Sequence, residues 1–145
     1  MNVLVDTPVW SLALRRKPQH LNQNQQTQVI ELQELIHEGR AKLVGPIRQE
    51  LLSGIRDPQV YEKLRSALRA FEDEALDRDD FEAAAQAFNA CAAKGVAGSA
   101  IDFLLCAVAL QHSMALFTSD ADFPRYARHL PLRLHRPRAA MRKQP

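Results

Sequence analysis

Three aspartates stand out by what surrounds them. Asp6 is the only formally charged side chain among residues 1–14 and follows the apolar run "NVLV". Asp102, in "AIDFLLCAVAL" (100–110), is the only one between Lys94 and Asp120, and Asp120 itself follows "MALFTS". An ionised carboxylate among apolar groups carries a large desolvation penalty unless a cation or good hydrogen bonds compensate it. No Lys or Arg lies close in sequence to Asp6 or Asp102.

Two kinds of compensation are open. The first is helix capping: Asp6 precedes a helix whose first turn holds Pro8, and Ser99 can cap a helix starting at 100 with Asp102 in its third position. The second is a divalent cation, which satisfies all three acids at once if they share one place. All-oxygen donors suit Mg²⁺ or Mn²⁺. Zinc does not fit, because no Cys/His pair has ligand spacing. Cys91 and Cys106 sit in Ala/Leu-rich stretches as reduced, buried small hydrophobes, and His20, His37, His112, His129 and His135 are scattered. An acid-lined metal site with no Ser–His or Cys–His pairing suits hydrolysis of a phosphodiester.

The surrounding elements must bring these acids together. "NVLV" (2–5) is a short buried strand, followed by a helix over 8–15 that stops at Pro18. A helix over 21–39 ends at Gly39, "KLVG" (42–45) is a second strand, and Pro46 opens a helix carrying Glu50. "DP" (57–58) starts another, with Val60, Leu64, Leu68 and Phe71 on one face. A weak, acidic strand is expected near 71–76, then helices over 78–95 and 100–112. Strand 114–119, a short helix to His129 and a last strand over 131–135 complete the chain. Short apolar strands separated by helices argue for a parallel sheet of about five strands covered on both faces. Ligands of such sheets bind beyond the carboxyl ends of the strands, where Asp6 and Asp120 fall.

With 145 residues, 46% apolar and 25% charged, the chain has the size and composition of one ordinary globular domain. No run is long enough to span a membrane, and the first residues lack a basic stretch leading into a signal sequence, so a cytoplasmic protein is expected. The net charge of +2 hides an asymmetry: from Arg125 onward there are seven Lys or Arg and no acid. A basic end on an acidic body suits a polyanion or an acidic partner. Residues 136–145 read as a basic, flexible tail after a domain over 1–135.

The segments "VLVDTPVW", "GPIRQELLSGI", "GSAIDFLLCAVAL" and "LFTSDADF" resemble, in order and spacing, the four motifs of PIN domains, most closely those of VapC-type toxins of bacterial toxin–antitoxin pairs. The resemblance spans residues 2–135. It implies an α/β/α sandwich and a Mg²⁺- or Mn²⁺-dependent ribonuclease acting on RNA. It also implies four catalytic acids, carried onto Asp6, Glu50, Asp102 and Asp120, with Glu50 binding metal directly or through water. Asp122 falls on a further acid of the last motif, as a ligand, a group behind the ligands or a cap for the next helix. Thr7 and Thr118 match small hydroxyl positions that orient a carboxylate or a water, and Ser99 matches a polar position before the third acid. A homodimer and a cognate antitoxin, inserted near the acidic groove, are implied as partners. Pro8 departs from the more common small polar residue, while Phe103 and Phe117 beside the acids read as core packing.

Read without that resemblance, Glu50 sits in a surface-helix pattern where an ion pair with Arg48 or Arg56 serves equally well. Two other readings of the whole chain are a non-catalytic RNA- or protein-binding module that keeps its acids as caps, and a phosphoryl-transfer protein of the HAD or receiver kind. The HAD reading wants a second Asp at position 8, which is Pro8. The receiver reading lacks a suitable central Asp and later Lys.

Overall fold

The run Val3–Val5 (β1) lies at the centre of a parallel sheet, with all three residues buried. Its neighbours are Ala41–Lys42 (β2) on one side and Ala115–Phe117 (β3) on the other, in the order β2-β1-β3. The register sets Val3 beside Ala41 and Ala115, and Val5 beside Phe117. A strand covered on both faces has no solvent side, which is why β1 and β3 are apolar at every position rather than alternating. This is a computed structural model, and it describes residues 1–142.

The sheet has three strands where about five were expected. The two outer strands are each reduced to a single parallel bridge, Leu43 with Asp73 and Leu116 with Leu134. Both have local reasons to stop short. The first carries Glu72, Asp73 and Glu74 in succession, a poor strand composition, and the Asp73 carboxylate is held by the Arg48 guanidinium. The second begins at Pro131 and meets Pro137, and proline cannot donate to a ladder.

Helices cover the sheet: Thr7–Arg15 (α1), Gln23–His37 (α2), Gly45–Leu52 (α3), Pro58–Leu68 (α4), Arg78–Ala92 (α5) and Ala100–Gln111 (α6). Short helices Asp122–Tyr126 (α7) and Arg138–Arg142 (α8) follow β3. Their starts are written in the sequence. Asn22 with Gln25 and Asp77 with Asp80 form capping boxes, and Pro8, Pro46 and Pro58 occupy first turns. Gly39 follows α2 at φ +69°, the left-handed conformation that lets the chain turn back into β2.

The core is continuous from β1 through Trp10, Leu32, Leu35, Ile47 and the inner face of α6. Trp10 is fully buried, and its indole N–H donates to the carbonyl of Val5 at 3.0 Å. The stretch 103–109 of α6 is buried residue by residue, while Ile101 and Asp102 emerge toward the surface. Cys91 and Cys106 are free and buried, and burial pushes the Cys106 thiol up to about 12.

Arg138 opens α8 against α2. Its backbone N–H and its Nε both donate to the buried carboxylate of Glu31, and its terminal nitrogens reach Glu38. Residues 143–145 of the expected basic tail lie outside the described residues. Among the described residues, no helix is long and apolar enough to cross a membrane.

Candidate metal centre

The carboxyl edge of the sheet collects the acids. Asp6 stands one residue beyond β1, and its backbone N–H continues the ladder by donating to Phe117 at 2.9 Å. Its Oδ1 caps α1 by accepting from the Thr7 N–H at 2.8 Å. Its Oδ2 accepts from the Thr118 hydroxyl at 2.8 Å. That hydroxyl in turn accepts from the backbone N–H of Asp120 at 3.0 Å, and Asp120 Oδ1 accepts from the N–H of Asp122 at 2.9 Å. One relay thus ties the end of β1 to the turn that follows β3.

Glu50 arrives from α3, and its Oε2 accepts from the Thr7 hydroxyl at 3.0 Å. The ion pair with Arg48 does not form. That guanidinium is committed to Asp73 and to the carbonyls of Leu68 and Phe71. Asp102 enters from the first turn of α6. Its backbone N–H donates to the Ser99 hydroxyl, the N-cap, at 3.1 Å. Its carboxylate caps nothing: Oδ2 accepts instead from the Tyr126 hydroxyl at 2.8 Å.

Carboxylate oxygens of Asp102, Asp120 and Asp122 all lie within 4.8 Å of one another. Asp6 and Glu50 stand beside this trio rather than inside it, close enough that their charges are felt. Asp6 is raised from 3.8 to about 6, first by burial and then by the charges of Asp102 and Glu50, against the opposing bonds from Thr118 and Thr7. Burial, followed by the hydrogen bond to Asp102, pushes the Tyr126 phenol well above its usual range. Among the described residues, no ion pair reaches Asp6, Glu50, Asp102 or Asp120; Asp122 pairs with half-exposed Arg125 at 3.3 Å. A groove of about 430 Å³ opens beside Glu50, Gln49, Ser53, Ser99 and Asp102.

This donor set fits a hard divalent cation. It is all oxygen, drawn from positions far apart in sequence, and its negative charge has almost no cationic partner in the protein. Sequence reasoning placed Asp122 only as one of several alternatives, and the geometry sets it with Asp102 and Asp120. It missed Tyr126. The signal available was helical spacing, since Asp122 and Tyr126 are four residues apart and share a face of α7.

The PIN domain family model matches residues 3–129, a span that includes Asp6, Glu50, Asp102, Asp120 and Asp122. Among solved structures, FitAcB from Neisseria gonorrhoeae is 25% identical with a TM-score of 0.74, covering 93% of this chain and 97% of that one. FitAB bound to an IR36 DNA fragment is 24% identical with a TM-score of 0.74, over 93% and 94% of the two chains. VapBC2 from Rickettsia felis bound to a promoter DNA fragment is 17% identical with a TM-score of 0.71, over 93% and 98%. No curated protein matches the sequence. On a match that spans residues 3–129, the chain belongs to the PIN domain family.

Proposed function

We propose that the chain is a Mg²⁺- or Mn²⁺-dependent endoribonuclease of VapC type, the cytoplasmic toxin of a type II toxin–antitoxin pair. The observation that carries this reading is the convergence of Asp6, Glu50, Asp102, Asp120 and Asp122 on one sheet edge with a single ion pair among them. Asp102 and Asp120 would hold the cation together with Asp6, with Asp122 as a further ligand and Glu50 acting directly or through water. When bound, the ion supplies the charge that attracts a phosphate and acidifies an attacking water.

The protein's own groups prepare that site. Thr118 fixes the Asp6 carboxylate and the Asp120 backbone at once. Thr7 steadies Glu50, and Ser99 sets the first turn of α6 so that Asp102 projects from a rigid helix. The basic segment from Arg125 onward supplies attraction for an RNA backbone that the acids alone would repel. A protein antitoxin belongs to the same proposal, supported by the likeness to FitAcB and VapBC2, and a homodimer enters it only as what the family resemblance implies. An antitoxin arginine inserted among the carboxylates would pair with them in place of metal.

A second reading has support of its own: Asp6 caps α1 and Asp120 accepts from the turn into α7, so part of the cluster serves the backbone. A non-catalytic module of this kind is indifferent to Asp102, which caps nothing. RNA cleavage by wild type and Asp102→Asn, with Mg²⁺, Mn²⁺ or EDTA, separates the two. The nuclease reading expects the variant to lose roughly 100-fold or more and EDTA to stop cleavage. Equal cleavage by both proteins, or cleavage in EDTA, sinks it.

A further inference from the structure

Tyr126 ends α7 with its side chain fully buried, and a buried phenol needs a partner for its hydroxyl. The partner is Asp102 Oδ2, at 2.8 Å, 24 residues away in sequence. The ring has little freedom. It packs tilted against Phe103 with centroids 4.7 Å apart, and edge-on against Phe123 at 5.3 Å. Phe103 is held in turn by Phe88, edge-on at 5.4 Å.

Gly98 completes the arrangement. A Cβ at that position would overlap the phenol oxygen, lie 2.7 Å from the ring carbon that bears it, and lie 2.8 Å from the Phe103 ring. The chain therefore enters α6 across a glycine that leaves room for this one hydroxyl. A glycine spent on a close approach, a fixed aromatic ring and a carboxylate with no cationic partner all meet at one bond.

We infer that Tyr126 is a positioning residue for the proposed metal centre, acting through Asp102. By occupying Oδ2 it stops the carboxylate from rotating about its last torsion, so that Oδ1 keeps one aim. The phenol donates without bringing a positive charge, so it orients the acid without competing with a cation for it. Partners of this kind behind a metal ligand typically contribute 10–100-fold in metal affinity or activity. The inference rests on the metal-nuclease reading, and it adds a residue that the four motifs do not contain.

Tyr126→Phe is the test, because it keeps the ring and removes only the hydroxyl. Mn²⁺ binding is titrated directly, by the loss of the free-ion resonance, for wild type, Tyr126→Phe and Asp102→Asn. Melting in EDTA is recorded for each. The expected result is saturable Mn²⁺ binding by wild type, and roughly tenfold weaker binding by Tyr126→Phe with its metal-free melting temperature nearly unchanged. In RNA cleavage at saturating Mn²⁺, kcat falls while KM for RNA holds, since the groove itself is intact. Wild-type Mn²⁺ affinity in Tyr126→Phe, with Asp102→Asn impaired, overturns the Tyr126 role and leaves the metal centre standing. If wild type binds no Mn²⁺, or if Asp102→Asn binds as wild type does, both fall together.

Discussion

Asp6 occupies two roles whose demands conflict. As the N-cap of α1 and the acceptor of the Thr118 hydroxyl, it is held by hydrogen bonds that favour its charged form. As a carboxylate 6% exposed and facing Asp102 and Glu50, it is raised to about 6. An acid whose folded pKa lies above its unfolded value of 3.8 favours folding while protonated, and that contribution is lost as pH rises toward 6. In EDTA, Asp6→Asn should therefore stabilise the protein at pH 7, with an upper bound of about 3 kcal/mol from a shift of roughly two units. The gain should vanish near pH 4, where wild type is protonated as well. Melting both proteins in EDTA across that range checks it, and a variant less stable at pH 7 would show that the hydrogen bonds from Thr7 and Thr118 outweigh burial and repulsion together. At this scale Asp6, Asp102 and Asp120 were legible because each stands in or directly after an apolar stretch, whereas Glu50, in a surface-helix pattern, was marked only by the motif resemblance. Tyr126 was not, because its four-residue spacing from Asp122 does not reveal that its hydroxyl's partner lies 24 residues back on another helix.

At the scale of elements, α6 is the part that aims the site, and its two ends are fixed differently. Ser99 caps the end bearing Asp102. At the other end, His112 is clamped between Asp80 of α5, at 2.9 Å, and Glu74, at 3.3 Å. Burial opposes a charge on His112, but the hydrogen bond and charge of Asp80, then those of Glu74, outweigh it and raise its pKa above 6.5. A raised histidine stabilises the fold fully below 6.5, and this is lost as pH climbs through the folded value. Asp80 is lowered: burial works against this, and the Asp77 N–H and His112 overcome it, so its contribution is lost only as pH falls below 3.8. The clamp is thus strongest from about pH 4 to 6.5. Replacing His112 by Gln should lower stability most in that window and flatten the decline above it, which urea melts at pH 5.5 and 8.5 would read. An equal loss at both pH values would mean that the histidine acts only as neutral packing. Helix limits were legible from caps and prolines, but periodicity shows which face turns inward and not how far the core extends along it. Val60 fits the period of α4 and is 50% exposed. The outer strands failed for a related reason, since a strand at the margin is decided by competing contacts such as Arg48 on Asp73.

For the molecule as a whole, the acids are an electrostatic load that the fold carries in order to hold them together. They come from segments ending at Asp6, beginning at Asp102 and turning at Asp120–Asp122, and these meet only when β1, α6 and β3 are assembled. The unfolded chain cannot present them at one point, so a cation that binds the native centre has little to bind after unfolding. Its effect on stability is then close to the full linkage, about 2.7 kcal/mol when free metal is 100 times Kd. For a chain of this length each kcal/mol moves the melting temperature by roughly 2–4 °C. Saturating Mn²⁺ should therefore raise the transition by about 5–10 °C over EDTA, with the shift growing as the logarithm of metal concentration above Kd. Asp102→Asn should lose most of that shift, since it turns one of the three carboxylates within 4.8 Å of one another into a neutral amide. KCl at matched ionic strength provides the control for charge alone, because ions that merely screen the acids would protect wild type and variant alike. A wild-type transition that is the same in Mn²⁺ and EDTA would mean that the sheet edge gathers these carboxylates for a purpose other than metal.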